Sequence, residues 1–482
     1  MKKQHPIALL QYTTRNFWLL LIPLLRGLFS LDVDFYSWLS GAYLDVLVIL
    51  VILGAAFFRW WNIRYEMTEK GISFSFGFFI KEDFFIPYKS MSAVSSKRAL
   101  ILRPIRAVKI AIETDCCSAV GKISDPDVKI VVKLKDYKEL FNKIPIKESG
   151  AKLTYKVPKA ILLLFSFVFS SSLSGILYFG TLLIQGGRLV DRELEERFII
   201  AVNDVTEIAQ KIINGITPAT VGLMIIVAAG WLYSFISNYL RHINFTIQRC
   251  GKSILIRNGF FSKWKYHINT ERINYADIRQ NLLMKMCKVM SVHVSCSGYG
   301  KSRNEIPVFV PITTKKSVMG VMRMLMPEFP LIETSVNPRW NYIMRFIGPP
   351  TVMIFGVMLA AFALVIYLPG WYSVILFVAV MGEISAVHLL VVKLTAFYTN
   401  GLGGEGDIIC MRYCRFYQFH YITLPKSKIT SVELRQTIFQ KMNQSCDFVV
   451  YTMGENVQIH RVRGINIQDA EKFVAEIGYD LI

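Results

Sequence analysis

Residues 86–115 read IPYKSMSAVSSKRALILRPIRAVKIAIETD, and this block recurs twice further along the chain. A shift of 182 residues aligns it without a gap to residues 268–297, INTERINYADIRQNLLMKMCKVMSVHVSCS. A further shift of 156 residues gives residues 424–453, LPKSKITSVELRQTIFQKMNQSCDFVVYTM. A constant offset held over the whole block indicates an internal repeat. One folding unit has therefore been used three times.

The composition is too apolar for an ordinary soluble protein of this length. The chain has 482 residues, of which 53% are hydrophobic and 19% charged, and its formal net charge is +20. Such a positive charge suggests either nucleic acid or an anionic membrane surface as a partner. Because the excess of apolar residues has to face lipid, we expect a membrane and no nucleic acid.

A pair of apolar stretches precedes each repeat, and each stretch is close to the length that a membrane-spanning helix needs. We expect six spans, at about 16–31 and 40–58, 160–184 and 219–240, and 350–368 and 371–392. The domain boundaries that follow are 1–63 for the N-terminal segment and first helix pair, 64–146 for the first repeat domain, 158–240 for the second pair, 241–328 for the second domain, 342–392 for the third pair and 393–482 for the third domain.

The basic residues give an orientation. Of the 55 lysines and arginines, 50 lie before the first span or in the blocks 59–159, 241–345 and 393–482. Because the flanks of cytoplasmic segments are enriched in Lys and Arg, we expect both termini and all three repeats to be cytoplasmic in a multi-pass protein of a bacterial plasma membrane. Apolar residues recurring at steps of three and four predict an external amphipathic helix at about 191–213, which either lies on the outer leaflet or binds a partner.

Within each repeat, short alternating strands are followed by one helical segment. Ile72, Phe74 and Phe76 alternate with serines, and the repeats end in helical patterns at 137–144, 316–325 and 467–477. Such a unit is long enough for a small β-barrel or sandwich closed by a helix.

These features resemble the bacterial pleckstrin-homology-like (PH-like) membrane proteins of the YdbS/YdbT type. The resemblance is carried by His5-Pro6 before a helical hairpin, the T-E-K-G-I of residues 68–72, the Gly77-Phe78-Phe79 turn and the I-P-x-x-x-(M/I)-x-x-V that follows. It implies a multi-span α-helical membrane protein with three cytoplasmic PH-like β domains, each of two antiparallel sheets plus a C-terminal helix. It also implies a smaller single-domain relative as a partner. Since the sequence contains no P-loop or H-E-x-x-H zinc motif, we expect neither a cofactor nor a bound metal.

One motif suggests a nucleotide site and is rejected by its context. GLGGEG at residues 401–406 fits G-x-G-x-x-G, but the following residues read as a strand, whereas a phosphate-binding loop must open a helix. We therefore expect a hairpin turn here, and the third repeat also departs from the pattern because Arg415 replaces the turn glycine.

Two groups of polar residues are candidate functional residues. Bases at matching positions of the repeats predict either an anionic lipid-headgroup site or a solvated basic face: Lys97, Arg103 and Arg106; Arg279, Lys285 and Lys288; Arg435 and Lys441. Ionisable residues within the spans, namely Arg26, Asp45, Glu383 and His388, predict a structural ion pair in the first hairpin and either a transport path or a partner contact in the last.

No catalytic motif is recognisable, so we expect a non-enzymatic scaffold whose PH-like domains assemble with one another or with the smaller relative and contact anionic lipid. The alternative is a transporter or lipid-handling protein that uses Glu383 and His388 within the helix bundle. A membrane-bound enzyme is the third hypothesis.

Overall fold

The computed structural model describes residues 1–15, 35–77, 81–114, 128–143, 153–168, 200, 202–208, 218–260, 263–296, 308–415, 417–452 and 458–478. Long apolar helices alternate with three β domains. The helices are α1 Ala8–Arg15, α2 Phe35–Asn62, α3 Leu134–Lys143, α4 Lys159–Val168, α5 Pro218–His242, α6 Leu282–Met286, α7 Lys315–Leu325, α8 Ile343–Tyr367, α9 Tyr372–Thr399, α10 Ile438–Met442 and α11 Ile467–Ile477.

Three helices of the described chain are long and apolar enough to cross a membrane: Val221–Leu240, Trp340–Tyr367 and Pro369–Thr399. They coincide with the spans expected at 219–240, 350–368 and 371–392. Helix α2, Phe35–Asn62, contains the span expected at 40–58, and its apolar stretch is described over Val46–Asn62; the span expected at 16–31 and most of the one at 160–184 lie outside the described residues. Helix α9 does not end at 392 but continues to Thr399, so the third domain begins later than expected.

Each repeat forms two antiparallel sheets, which confirms three PH-like β domains. The strands of the first domain are β1 Lys2–Lys3, β2 Arg64–Met67, β3 Gly71–Phe76, β4 Glu82–Pro87, β5 Met91–Arg98, β6 Ala107–Thr114 and β7 Val128–Lys133. Those of the second are β8 Leu153–Lys156, β9 Thr246–Cys250, β10 Ser253–Asn258, β11 Lys263–Asn269, β12 Ile273–Asn281, β13 Val289–Cys296 and β14 Val310–Thr314. Those of the third are β15 Gly401–Glu405, β16 Ile408–Arg415, β17 Gln418–Pro425, β18 Ile429–Arg435, β19 Ser445–Thr452 and β20 Gln458–Asn466.

The alternation of apolar residues explains why each domain closes on its own core. In the first domain, Phe74 of the first sheet, Ile110 of the second and Leu140 of α3 are all at most 1% exposed and belong to one cluster. Helices α7 and α11 close the other two domains with their apolar faces in the same way. The C-terminal helices begin at Leu134, Lys315 and Ile467, close to the positions expected from periodicity.

A backbone feature recurs at equivalent positions of the three domains. Arg106, Lys288 and Gln444 all adopt the left-handed conformation, with φ of 54°, 56° and 50°. The carbonyl oxygen of each accepts a hydrogen bond from the first residue of the C-terminal helix, namely Leu134, Lys315 and Ile467. The turn after the first strand of the second sheet therefore positions the C-terminal helix in every copy.

The sheets continue from one domain into the next. Strand order β7-β6-β5-β11-β10-β9-β8 forms one seven-stranded sheet, and β14-β13-β12-β17-β16-β15 forms one six-stranded sheet. The second sheet of each domain is thus extended by the first sheet of the following domain. We call these two inter-domain ladders, β5–β11 and β12–β17, the first seam and the second seam.

The expected hairpin turn at residues 401–406 is wrong for most of its length. Residues 401–405 form strand β15, and only Gly406, with φ of 57°, turns the chain into β16. A Cβ added at Gly403 would lie 2.2 Å from the carbonyl oxygen of Glu333. The glycines therefore let the chain before α8 approach the strand, and the strand after the turn still rejects a nucleotide site.

Candidate functional site

The two seams have the same register. In the first seam Val94 lies opposite His267 and Lys97 opposite Trp264. In the second seam Ala276 lies opposite Thr423 and Arg279 opposite His420. The repeat offsets of 182 and 156 residues convert the first set of pairs into the second, because 94 and 97 become 276 and 279 while 267 and 264 become 423 and 420. The seam is therefore a property of the repeat.

The first base of the first two repeats lies at this junction. The Lys97 ammonium stands 4.2 Å from the centroid of the Trp264 ring across the first seam, a cation–π contact. At the second seam, Arg279 Nε donates to Asp277 Oδ2 of its own strand at 2.6 Å, and His420 Nδ1 of the third domain lies 3.0 Å from the same oxygen. These bases were expected to form either an anionic lipid-headgroup site or a solvated basic face, and the structure places both at the boundary with the neighbouring domain.

The second base also reaches the next domain. Arg103 Nη2 donates to the carbonyl oxygen of Phe260 at 2.8 Å, and the Lys285 ammonium lies 4.5 Å from the centroid of the Phe419 ring. Burial lowers the pKa of Lys285 from its ordinary value. The repeat pattern in the sequence identified these positions and left lipid contact and a solvated face as alternatives, because nothing in one repeat shows that another repeat will cover it.

The carboxylate at the second seam is buried and well paired. Asp277 is 2% exposed, and burial by itself would oppose its ionisation. The hydrogen bond with His420 and the charge of Arg279 outweigh that effect and hold the pKa of Asp277 below its ordinary value. A buried carboxylate with both partners ties the second domain to the third.

The corresponding bases of the third domain lie on an open edge. Arg435 Nε donates to Glu433 Oε1 at 2.7 Å, and its Nη2 donates to the Tyr451 hydroxyl at 2.6 Å. The Arg435 side chain is 45% exposed. Lys441 lies in α10 beside three large apolar side chains that are 77–81% exposed, namely Ile438, Phe439 and Met442.

Exposed apolar residues mark the same turn in the other domains. Leu100 and Ile105 are 53% and 43% exposed in the first domain, and Leu283 and Met286 are 45% and 71% exposed in the second. We call these three turns, 99–106, 282–288 and 438–444, the apolar turns. Apolar side chains interleaved with bases are typical of a surface that enters the headgroup region of a membrane.

The first domain also has a basic cavity next to its helix. An open cavity of about 480 Å³ is lined by four bases together with His5, Ile105 and Leu134; the bases are Arg106, Lys133, Lys135 and Lys138. The segment that forms one wall is held by the hydrogen bond from the His5 amide to the Val131 carbonyl. Burial, with the charge of Lys133, lowers the pKa of His5. The cavity can accept an anionic group of phosphate size.

This cavity adjoins the junction between α2 and the first domain. Ala56 of α2 packs with Ala107 and Val131 in one apolar cluster, next in sequence to Arg106 of the cavity. The Trp60 indole donates to the Gln4 carbonyl at 3.1 Å, and the Lys3 ammonium lies 3.2 Å from the centroid of the Trp61 ring. Tryptophans at the end of an apolar helix are typical of the membrane interface.

A buried ionic network joins the third helix pair to the third domain. The Asp447 carboxylate is 0% exposed and accepts from Arg345 Nη2 of α8 at 2.7 Å and from Arg461 Nε at 2.8 Å. Gln440 Nε2 of α10 donates to the other oxygen at 2.7 Å. Sequence reasoning missed Asp447, which carried no repeat signal. The network couples a helix, an apolar turn and the β core.

Within the described residues, the structure does not bring together the ionisable residues expected in the membrane spans. Glu383 and His388 both lie on α9 and are partly exposed. Within the described chain, Glu383 Oε1 is buried without a hydrogen-bond partner, whereas the His388 ring lies edge-on to Tyr417 with 5.4 Å between centroids. Arg26 and the side chain of Asp45 lie outside the described residues, so their ion pair stays a prediction.

Two further expectations, the amphipathic helix and the metal ligands, can be compared only with the described residues. Of the amphipathic helix expected at 191–213, residues 202–208 are helical, with Val202 7% exposed and Ile208 61% exposed. Across the described ranges, no group of three or more His, Cys, Asp or Glu side chains is placed to hold a metal ion.

Known proteins share sequence similarity with this chain. The family model described as bacterial PH domain matches three segments, residues 20–144, 198–318 and 352–480. The UPF0699 transmembrane protein YdbT of Bacillus subtilis (strain 168) is 24% identical over 106 residues. That match covers 21% of this chain and 22% of the relative, about a fifth of each. No solved structure matches the chain.

Proposed function

Because the chain belongs to the bacterial PH domain family, we propose that it is a non-enzymatic membrane scaffold whose three PH-like domains form one rigid row for assembly with other proteins. The observation that carries the proposal is the pair of seams in identical register. Main-chain hydrogen bonds between sheet edges are a common mode of protein recognition, and this chain already uses that mode twice within itself.

The proposal includes an orientation in the membrane. The row is held by several passes through a bacterial plasma membrane, with both termini and all three PH-like domains in the cytoplasm. The concentration of Lys and Arg in the segments between helix pairs supports this orientation, since cytoplasmic flanks are enriched in these residues. The three long apolar helices support membrane attachment.

Contact with anionic lipid is the second part of the proposal. The apolar turns enter the headgroup region, and the basic cavity of the first domain holds an anionic headgroup with Arg106 and Lys138. Each exposed base near such a surface contributes about 1 kcal/mol of attraction. The position of the cavity beside the tryptophans of α2 supports this assignment.

The lipid contact is tested by lipid retained on the purified protein. Arg106→Ala combined with Lys138→Ala should lower the amount of anionic phospholipid that copurifies in mild detergent, measured by native mass spectrometry. The matched control is Lys81→Ala with Lys89→Ala, two exposed bases of the same domain outside the cavity. Equal lipid loss in both variants would contradict a specific site.

Transport through the helices is the competing function, because Glu383 Oε1 is buried without a partner within the described chain. The two hypotheses differ in a reconstituted system. The scaffold hypothesis predicts that proteoliposomes containing the wild type show the same proton flux as those containing Glu383→Gln or His388→Ala. A flux lost in either variant would establish transport.

The scaffold itself is tested by what accompanies the protein. After crosslinking in cells and mild-detergent purification of the tagged chain, mass spectrometry and native sizing should find a stoichiometric complex. Its other component is either a second copy or a smaller membrane protein with a single PH-like domain. A lone monomer would overturn the proposed function.

A further inference from the structure

Among the described strands, one strand equivalent to a seam strand lies at the edge of the sheet at each end of the row. Strand β5 is covered by β11 and β12 by β17, but their equivalent in the third domain, β18, pairs only with β19 in the part of the chain described. Likewise β11 and β17 are each covered by the preceding domain, whereas their equivalent in the first domain, β4, pairs only with β3 among the described strands. The chain therefore carries both halves of a third seam.

We propose that a second copy of this chain completes that seam, with β18 of one molecule paired antiparallel to β4 of the next. The proposal rests on the proposed scaffold function and names its partner and its contact. A contact between two different surfaces of one protein is heterologous and joins copies head to tail, as a closed ring or an open row.

The repeat offsets fix the register of the proposed seam. Adding 156 to the first strand of the second seam converts Ala276 and Arg279 into Val432 and Arg435. Subtracting 182 from β11 converts His267 and Trp264 into Phe85 and Glu82. The observed pairs Val94 with His267 and Lys97 with Trp264 then become Val432 with Phe85 and Arg435 with Glu82.

The charges of the two edges match in this register. Arg435, 45% exposed, would stand opposite the exposed Glu82, and opposite charges directly across an antiparallel pair are favourable. The same position carries a base in both existing seams: Lys97 contacts Trp264 of the facing domain, and Arg279 pairs with Asp277, whose carboxylate also binds His420 of the facing domain.

Phe85 is an exposed aromatic residue at a position that the other domains bury. Its equivalents His267 and Thr423 are 2% and 1% exposed, whereas Phe85 is 49% exposed. In the first seam the His267 ring packs against Phe141 of the preceding domain's C-terminal helix, with 4.2 Å between ring centroids. In the proposed seam Phe85 would pack in the same way beside α11 of the other copy.

The residues of β18 are more exposed than their equivalents in β5 and β12. The first six residues of β5 and of β12 are all buried, whereas in β18 only Ile429 is buried and Thr430, Ser431 and Arg435 are exposed. An exposed strand edge with free main-chain groups is a site for pairing with another chain. A copy of the same chain supplies the edge whose register and charge fit.

Disulfide crosslinking between two differently tagged full-length copies tests the seam. Residues directly opposite in an antiparallel pair have Cα atoms about 4.5–5.5 Å apart, within the range that a disulfide spans. Phe85→Cys in one copy with Val432→Cys in the other, and Glu82→Cys with Arg435→Cys, should each form a dimer carrying both tags when membranes are mildly oxidised. We expect at least a tenfold excess over the chain without introduced cysteines.

The same four substitutions supply the control. The crossed combinations, Phe85→Cys with Arg435→Cys and Glu82→Cys with Val432→Cys, are three residues out of register and should crosslink no more than the native chain, whose exposed Cys287 sets the background. Equal crosslinking of matched and crossed pairs would overturn the register. Capture of a different protein by the introduced cysteines would overturn a second copy as the occupant.

Failure of this proposal can be told apart from failure of the scaffold. If no pair crosslinks while the wild type still purifies as a stoichiometric complex, the scaffold stands and this seam is wrong. If the wild type purifies as a lone monomer, both are wrong. Because a misfolded variant would also fail to crosslink, the melting temperature of each variant is compared with that of the wild type. Amide hydrogen exchange of β18 in the wild type provides an independent readout, and it should be slower in the complex than in the monomer.

Discussion

At the scale of single residues, one repeat position has acquired three different environments. Lys97 faces a tryptophan, Arg279 forms a buried pair with Asp277 beside a histidine, and Arg435 remains on an exposed edge. The base is therefore kept while its partner changes. A base at this position suits a junction between domains better than a freely solvated surface.

The buried histidine His460 makes the third domain sensitive to acid. His460 is 2% exposed and lies 3.0 Å from the Tyr413 hydroxyl and 3.1 Å from the Thr452 hydroxyl. Burial lowers its pKa from 6.5 to about 4; the charge of Asp277 opposes this shift, and His420, Arg279 and Arg415 add to it. In the unfolded chain the imidazole takes up a proton below about pH 6.5, whereas in the folded protein it stays neutral until about pH 4.

The unfolded state consequently binds more protons in this window, so stability present above pH 6.5 is lost as the pH falls towards 4. We expect a loss of up to about 3 kcal/mol from this group, since one pKa unit corresponds to about 1.4 kcal/mol. Melting temperatures at pH 7, 5.5 and 4.5 should show a smaller decrease for His460→Gln than for the wild type. Identical decreases would contradict the assignment.

At the scale of elements, the helices and β domains are coupled through a few buried groups. Arg345 of α8 reaches the fully buried Asp447, while Arg339, just before that helix, pairs with Asp469 at 3.2 Å on the surface. Arg339 lies just before α8 and Arg345 lies in its first turn, and the acidic residues they pair with differ in burial. They form a matched pair for measuring how tightly the last helix pair is attached to the third domain.

Removing the buried partner should cost much more than removing the exposed one. Arg345→Met leaves Asp447 with Arg461 and Gln440, and we expect a loss of about 2 kcal/mol in the free energy of unfolding of the third domain. Arg339→Met removes an exposed ion pair and should cost less than about 0.5 kcal/mol. Denaturant unfolding in detergent, followed by the amide hydrogen exchange of β19, the strand that carries Asp447, measures both. Equal losses would show that the network does not attach the helix to the domain.

At the scale of the whole molecule, the three PH-like domains are joined by two sheets that cross their boundaries. The internal repeat predicted the three domains, and the C-terminal helices follow from their apolar periodicity. The long apolar helices α5, α8 and α9 were predictable from the apolar length alone.

The seams were not predictable, because strands such as β5 and β11 are far apart in sequence and each is complete as a strand of its own domain. The paired bases at Lys97 and Arg279 were visible as a pattern, but a base opposite a distant partner looks the same in sequence as a base facing lipid. The strand Gly401–Glu405 was mistaken for a turn, since its glycines serve the close approach of Glu333 rather than a change of direction.

A distance measurement between the first and third domains tests the rigid row most directly. Spin labels on a noncanonical amino acid at the exposed positions 89 and 472 avoid the native cysteines, and double electron–electron resonance on the full chain in detergent reports their separation. Two continuous seams predict a single narrow distance distribution, unchanged by Lys81→Ala on the open edge. A broad distribution would show that the domains move independently, and the row would not exist.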